Sequence, residues 1–256
     1  MNTELINKVA AVAALLNRVN RDYAPAVLAS SLSIEDMVLT DLLVRYAPSI
    51  EMFTLDTGRL PAETYALIAK IKEHYGRNVR VYFPETTAVE NYVNRNGVNA
   101  FYRSVELREQ CCAIRKVEPL KRALAGKRAW VTGMRREQSL TRTAIAEVEY
   151  DHVNGLDKFN PLANWSEEEV WRYIRTYNVS YNELYDKGYV SIGCAPCTRA
   201  ITKGEDIRAG RWWWEQGETK ECGIHRRPTA TTSSSEVVGT AENLPRRHQD
   251  TKDRFT

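Results

Sequence analysis

Three short apolar runs in this chain each stop at a polar turn, and the first two then continue as a helix. Residues 25–29 read as a strand that runs into Ser30-Ser31-Leu32-Ser33-Ile34-Glu35-Asp36, with a helix over 37–46. Residues 51–55 read as a second strand closed by Asp56-Thr57-Gly58, and Pro61 suits the first turn of a helix over 62–75. A third strand is expected at 79–83. Residues 105–125 are mostly helical, with Pro119 marking a break or a new start. A fourth strand at 129–132 leads into Gly133-Met134-Arg135-Arg136 and on to Arg142. Strands alternating with helices predict an α/β fold, with a mostly parallel sheet flanked by helices. Ligands of such sheets sit beyond the carboxyl ends of the strands. The polar segments 30–36, 56–60 and 133–142 are therefore expected along one rim, where a phosphorylated ligand fits.

The flanks are organised differently. Leu5, Ile6, Val9, Val12, Leu15 and Leu16 share one helical face, which predicts an N-terminal amphipathic helix within residues 1–24. Ser166 and Glu169 form a capping box for a helix over 167–177, with Trp171 and Ile174 on its buried face. Residues 180–225 are dense in Gly, Cys, Arg and Trp and have weak periodicity, as expected of a closing segment that carries site residues. The expected division is a helix (1–24), an α/β domain (25–211) and a mobile C-terminal segment (212–256), disordered after 226. Beyond that point lie the Thr/Ser run 229–235 and no sustained apolar period.

Composition excludes several classes. Hydrophobic residues at 43% and charged residues at 27% are globular values. No run approaches the ~20 apolar residues of a membrane span. A net charge of +3 is too small to attract nucleic acid in bulk, and residues 226–256 supply most of it, with six Lys/Arg against four Asp/Glu.

The five cysteines are grouped: Cys111 beside Cys112, Cys194 and Cys197 as C-x-x-C, and Cys222 alone. Two tight pairs far apart in sequence suggest four thiolate ligands gathered by folding, for a structural zinc or an iron–sulfur cluster. Zinc pairs usually carry a spacer of two to four residues. Adjacent side chains on a helix diverge by about 100°. That geometry suits two irons of a cube better than one zinc ion, with zinc as the alternative. Thiols kept for metal or chemistry fit a reducing cytoplasm.

The rim carries no G-x-x-x-x-G-K-[ST] and no G-x-G-x-x-G. The 30–36 turn suits either a plain N-cap, with Ser33 capping, or an anion site of amides and serine hydroxyls at a helix N-terminus. Arg135, Arg136 and Arg142 beside Gly133 make either a solvated basic loop or a phosphate clamp, since the planar guanidinium donates two parallel hydrogen bonds.

Taken together, Cys111-Cys112-Ala-Ile-Arg115-Lys116-Val-Glu-Pro119-Leu120, Cys194-Ala-Pro-Cys197 and Glu221-Cys222-Gly223-Ile-His225 resemble the assimilatory adenylyl-sulfate (APS) reductases. The segments 30–36, Leu55-Asp56-Thr57-Gly58 and 133–142 are similar to that family as well, so the likeness runs from about residue 25 to 225. It implies an adenine nucleotide alpha-hydrolase-like fold and a 4Fe–4S cluster on Cys111, Cys112, Cys194 and Cys197. It also implies reduction of APS to sulfite and AMP, with thioredoxin or glutaredoxin as electron donor. The related phosphoadenylyl-sulfate (PAPS) reductases share the E-C-G-x-H ending and lack the cluster cysteines. All four are present here, which points to APS, with PAPS or dual use as the alternative. The loop departs from the Gly-rich pyrophosphate loop of related ATP-cleaving enzymes in having no glycine, as expected if no pyrophosphate is released.

By that resemblance Cys222 is the nucleophile, with His225 and Lys116 in catalytic roles, and Arg208 and Arg211 line the sulfate and phosphate site with them. Ser30, Ser31, Ser33, Leu55, Asp56, Gly58, Gly133, Arg135, Arg136 and Arg142 complete the expected substrate contacts. Attack by an anionic thiolate on an anionic sulfate calls for such fixed positive charge. No sixth cysteine is present to resolve the intermediate, so an external reductant is expected. A homo-oligomer is expected, with no nucleic-acid or membrane partner.

Overall fold

The computed structural model describes residues 3–138, 144–202 and 204–215. Its centre is a six-stranded sheet of order β3-β2-β1-β4-β6-β5. The strands are β1 (Ala26–Ala29), β2 (Glu51–Leu55), β3 (Arg80–Tyr82), β4 (Ala129–Val131), β5 (Val148–Asp151) and β6 (Leu156–Phe159). Neighbours pair in parallel except for β5, which runs antiparallel to β6 at the edge.

The pleat sorts the core into two layers. Ala26 and Leu28 of β1 and Ala129 and Val131 of β4 face one side, where α1 (Thr3–Asp22), α2 (Ile34–Tyr46), α3 (Ala62–Tyr75) and α7 (Glu167–Tyr177) supply the packing. Val27, Phe53 and Trp130 face the other side, against Leu120, Ala123 and Leu124 of α6 (Glu118–Leu124). A sheet buried on both faces needs this continuous apolar run along its central strands.

The strand–turn–helix reading holds with local changes. α2 begins at Ile34 rather than 37, because Ser33 caps it and Asp36 already lies in its first turn. α1 leaves Ile6 exposed and buries Val19 instead. α7 buries Val170, Tyr173 and Ile174, while Trp171 packs at the edge against Tyr181 and Tyr185. Three elements had no counterpart in the sequence reading: α4 (Thr86–Asn96), which buries only Tyr92, and both strands of the β5–β6 hairpin, the first of which has no buried face.

The helix expected over 105–125 is α5 (Val105–Cys112), a π-helical turn (Ala113–Val117) and α6. Pro119 sits in the first turn of α6, directly after the π-helical turn. The wider turn re-aims Arg115 and Lys116 just after the cysteine pair, a common use of π-turns near functional sites.

Candidate active site: a nucleotide cleft walled from a four-cysteine cavity

The order of strand addition reverses at β1. The first three strands run outward in the order β1, β2, β3, and β4 then returns to pair with the other side of β1. A crevice opens at such a switch point. Here it is a cleft of ≈ 250 Å³. All three expected rim segments contribute to it, through Ser30, Ser31 and Ser33, through Leu55 and Thr57, and through Gly133 and Arg135.

Within the first segment Ser33 is the N-cap of α2, so the plain capping reading holds. Asp36 turns back and accepts from the Ser31 amide (2.6 Å) and the Ser31 hydroxyl (2.7 Å). The Gly133 amide also donates to it, joining the β1 and β4 loops. Burial outweighs these donors and holds the Asp36 carboxyl up at about 6. Gly133 is required by this approach, since a Cβ there would lie 2.4 Å from Asp36 Oδ1.

The arginines divide. Arg135 lines the cleft, yet its Nε donates to Glu35 at 2.9 Å inside the protein and its Nη1 donates to the Trp165 carbonyl at 3.3 Å. Arg136 is directed to the Ile145 carbonyl and the Asn164 side chain and is not among the described cleft residues. Arg142 lies outside the described residues. Asp56 and Gly58 sit behind the rim. The Asp56 carboxylate accepts from the Gly58 amide (2.7 Å) and the Tyr65 hydroxyl (2.9 Å), which fixes the turn and leaves Leu55 and Thr57 facing the ligand space.

Beyond the cleft lies a second, far smaller cavity, lined by Cys111, Cys112, Cys194 and Cys197 with Arg59, Arg108, Arg115, Lys116 and Trp212. Folding brings the two cysteine pairs together as expected. None of the four is disulfide-bonded. Burial pushes the Cys111 thiol up, and burial together with Cys194 pushes Cys197 up to about 12. Four sulfurs facing one cavity rimmed by cations fit a thiolate-bound cluster, whose metal charge would offset that burial. Among the described residues no three Cys, His, Asp or Glu side chains converge tightly enough for one ion.

Lys116, Cys194 and Trp212 line both cavities. Arg208 and Arg211 line the cleft side of that wall and stack on Trp212 at 5.9 and 4.7 Å from its ring centre. Gly193 makes room for Arg211, as a Cβ there would lie 2.4 Å from Nη2. Arg211 Nε is buried without a hydrogen-bond partner among the described residues. Two contacts went unforeseen in the sequence: the Thr57 hydroxyl meets Cys194 Sγ at 3.2 Å, and Arg115 donates to the Thr57 carbonyl at 2.6 Å. The Leu55-Asp56-Thr57-Gly58 motif had marked this turn as substrate contact only. Cys222 and His225 lie outside the described residues.

The family model for the phosphoadenosine phosphosulfate reductase domain matches residues 25–200. The chain belongs to this family. Among reductases of the family, the adenosine 5′-phosphosulfate reductase of Allochromatium vinosum is 56% identical over 231 residues, which covers 90% of each chain. The crystal structure of the PAPS reductase from Candida auris, a phosphate complex, superposes with a TM-score of 0.65 at 25% identity. That match covers 78% of this chain and 98% of the other. Outside the reductases, the FMN adenylyltransferase of Candida glabrata shares the fold alone, with a TM-score of 0.52 at 14% identity over 89% of this chain and 80% of the other. Like its reductase relatives, the chain is an enzyme, and the expected adenine nucleotide alpha-hydrolase-like architecture holds. No described helix is long and apolar enough to cross a membrane.

Proposed function

We propose that this enzyme reduces adenosine 5′-phosphosulfate to sulfite and AMP, with a dithiol protein such as thioredoxin or glutaredoxin as electron donor, in assimilatory sulfate reduction. One observation carries the reading: a cleft at the nucleotide switch point shares a wall of Lys116, Cys194 and Trp212 with the four-cysteine cavity. The close relatives named as APS reductases support it.

The Cys222 thiolate attacks the sulfur of the phosphosulfate. A sulfur–sulfur bond forms, the sulfur–oxygen bond to the phosphate breaks, and AMP leaves with the electron pair. The product on the enzyme is the thiosulfonate Cys222–S–SO₃⁻. A thiolate of the donor then attacks Cys222 Sγ and sulfite departs. The donor's second thiol resolves the mixed disulfide, so two thiols are oxidised as the sulfate sulfur is reduced.

Arg208, Arg211 and Lys116 supply the positive charge that an anion-on-anion attack requires. The buried, unpartnered Nε of Arg211 is a donor suited to a sulfate oxygen. His225, three residues beyond the nucleophile, is assigned to the same charge cluster. Cys111, Cys112, Cys194 and Cys197 would hold a 4Fe–4S cluster, whose role is electrostatic and structural because the thiols supply both electrons.

The test is sulfite release from APS and from PAPS, driven by thioredoxin, with iron and sulfide counted on the same sample. APS is expected to give the higher kcat/KM, with about four irons per chain, the content of a cubane cluster. Cys222→Ser should abolish sulfite release while keeping the iron and AMP binding. Equal or better use of PAPS would select the dual or PAPS reading, and loss of iron in Cys222→Ser would move that thiol into the metal site.

A further inference from the structure

Tyr185 is the one phenol among the described cleft residues. It belongs to a 3₁₀ turn, Glu183–Lys187, that meets the start of α2. Asn182 caps that turn. Its side-chain oxygen accepts from the Leu184 amide at 3.1 Å, and its side-chain amide donates to Thr64 Oγ1 at 3.0 Å, in the first turn of α3. Asn182 and Thr64 are both buried, so the turn is fixed to α3. The Tyr185 ring also meets Trp171 of α7 edge to face, with ring centres 5.6 Å apart.

The hydroxyl receives one hydrogen bond, from the Ile34 amide at 3.3 Å. That bond uses an oxygen lone pair and leaves the phenol hydrogen to be donated. Among the described residues it has no protein acceptor. Burial pushes the phenol well above its usual range, and Glu35, Asp36 and Glu167 push it the same way. The group therefore keeps its proton and stays a donor.

The same neighbours decide what it can donate to. Arg135, beside Glu35, is already paired with Glu35 at 2.9 Å and with Glu137 at 3.2 Å. A phosphate or sulfate placed against Tyr185 would meet the carboxylates of Glu35, Asp36 and Glu167, a like-charge contact. An uncharged oxygen or nitrogen meets no such repulsion. The cations Lys116, Arg208 and Arg211 line the cleft beside Trp212 instead.

We propose that Tyr185 binds the nucleoside part of the substrate, donating its phenol hydrogen to an uncharged acceptor, either a ribose oxygen or a ring nitrogen of the adenine. The inference rests on the cleft holding an adenosine nucleotide. The nucleotide then lies with its anionic end toward Arg208, Arg211 and Lys116 and its neutral end against the Glu183–Lys187 turn. Trp171 and the Asn182 cap hold the donor in place before the ligand arrives, so little is lost in ordering it.

The experiment is calorimetric titration of AMP into the iron-loaded full-length chain. Tyr185→Phe is expected to weaken AMP binding at least threefold, the loss of one hydrogen bond between neutral groups. A smaller loss would overturn the proposal. The titration is repeated with 2′-deoxy-, 3′-deoxy- and carbocyclic AMP for the ribose, and with 1-, 3- and 7-deaza-AMP for the base. One of these analogues lacks the acceptor, and to it wild type and variant should bind alike, which names the atom. A loss that persists against every analogue would make the effect structural or place it on the phosphate, and would overturn the proposal. If Tyr185→Phe fails to fold, 3-fluorotyrosine at position 185 gives a second measurement. Its fluorine resonance should move when AMP binds, and a resonance unmoved at saturation would overturn the contact. Wild type that binds no AMP would overturn the nucleotide reading of the cleft together with this inference, whereas wild-type binding with an unaffected variant overturns the role of Tyr185 alone.

Discussion

Asp36 shows what one buried carboxyl costs and what it joins. It is sequestered, holds the β1 and β4 loops together, and has a carboxyl raised from 3.8 to about 6. A carboxyl whose pKa is raised by folding penalises the folded state as pH rises. The penalty is absent below about pH 4, grows between 4 and 6, and is complete above 6, at about 3 kcal/mol. Asp36→Asn should therefore gain stability relative to wild type between pH 4 and pH 8, read from urea unfolding at each pH. A difference that stays flat with pH would mean that the carboxyl is not held protonated. Gly193 tests the opposite wall. In Gly193→Ala the new methyl meets the guanidinium at the end of the Arg211 side chain, not backbone. The melting temperature should hardly move, while kcat/KM for APS should fall at least tenfold as the guanidinium is displaced. At this scale the sequence was readable where chemistry is dense. Arg208, Arg211, Lys116 and the cysteine pairs all line the expected cavities. Arg136 was not readable, because nothing in a basic triplet tells which guanidinium finds a carbonyl inside the protein.

Elements were legible where a cap or an apolar period announced them. α7 runs from Glu167 to Tyr177 as expected because both halves of its capping box form, the Ser166 hydroxyl on the Glu169 amide (3.1 Å) and the Glu169 carboxylate on the Ser166 amide (2.8 Å). Ser166→Ala should cost about 1 kcal/mol of folding stability, measured by denaturant titration. A second contact raises the stakes at this helix end, since Lys8 of α1 reaches Glu169 at 2.6 Å. α4 and β5 were silent for the converse reason. α4 buries one side chain, and β5 lies at the sheet edge with Val148 and Tyr150 exposed, so neither carries a period to read. The turn between β5 and β6 did leave a signal in Asn154-Gly155. The Asp151 carboxylate accepts from the Val153 and Asn154 amides there, and Gly155 takes φ +71°.

Across the whole molecule, two cavities meet at one wall, so events in one are felt in the other. Lys116 and Trp212 face both spaces, and the Thr57 turn touches ligand space on one side and Cys194 on the other. If the proposed cluster is present, AMP binding should shift its visible absorption or its Mössbauer signal without any change in iron content. Spectra that stay identical at saturating AMP would mean that the wall insulates. The order in which the chain is made adds a last consequence. The sheet is complete at Phe159, but the cysteine cavity has only half its sulfurs until Cys194 has been made, and the full set only with Cys197. At roughly 5–20 residues per second, Cys111 and Cys112 wait some 4–17 seconds for their partners. Through that interval a nascent chain presents two adjacent thiols with nothing to close over them. Oxidants and stray metal ions in the cell then compete with the rest of the protein for that pair.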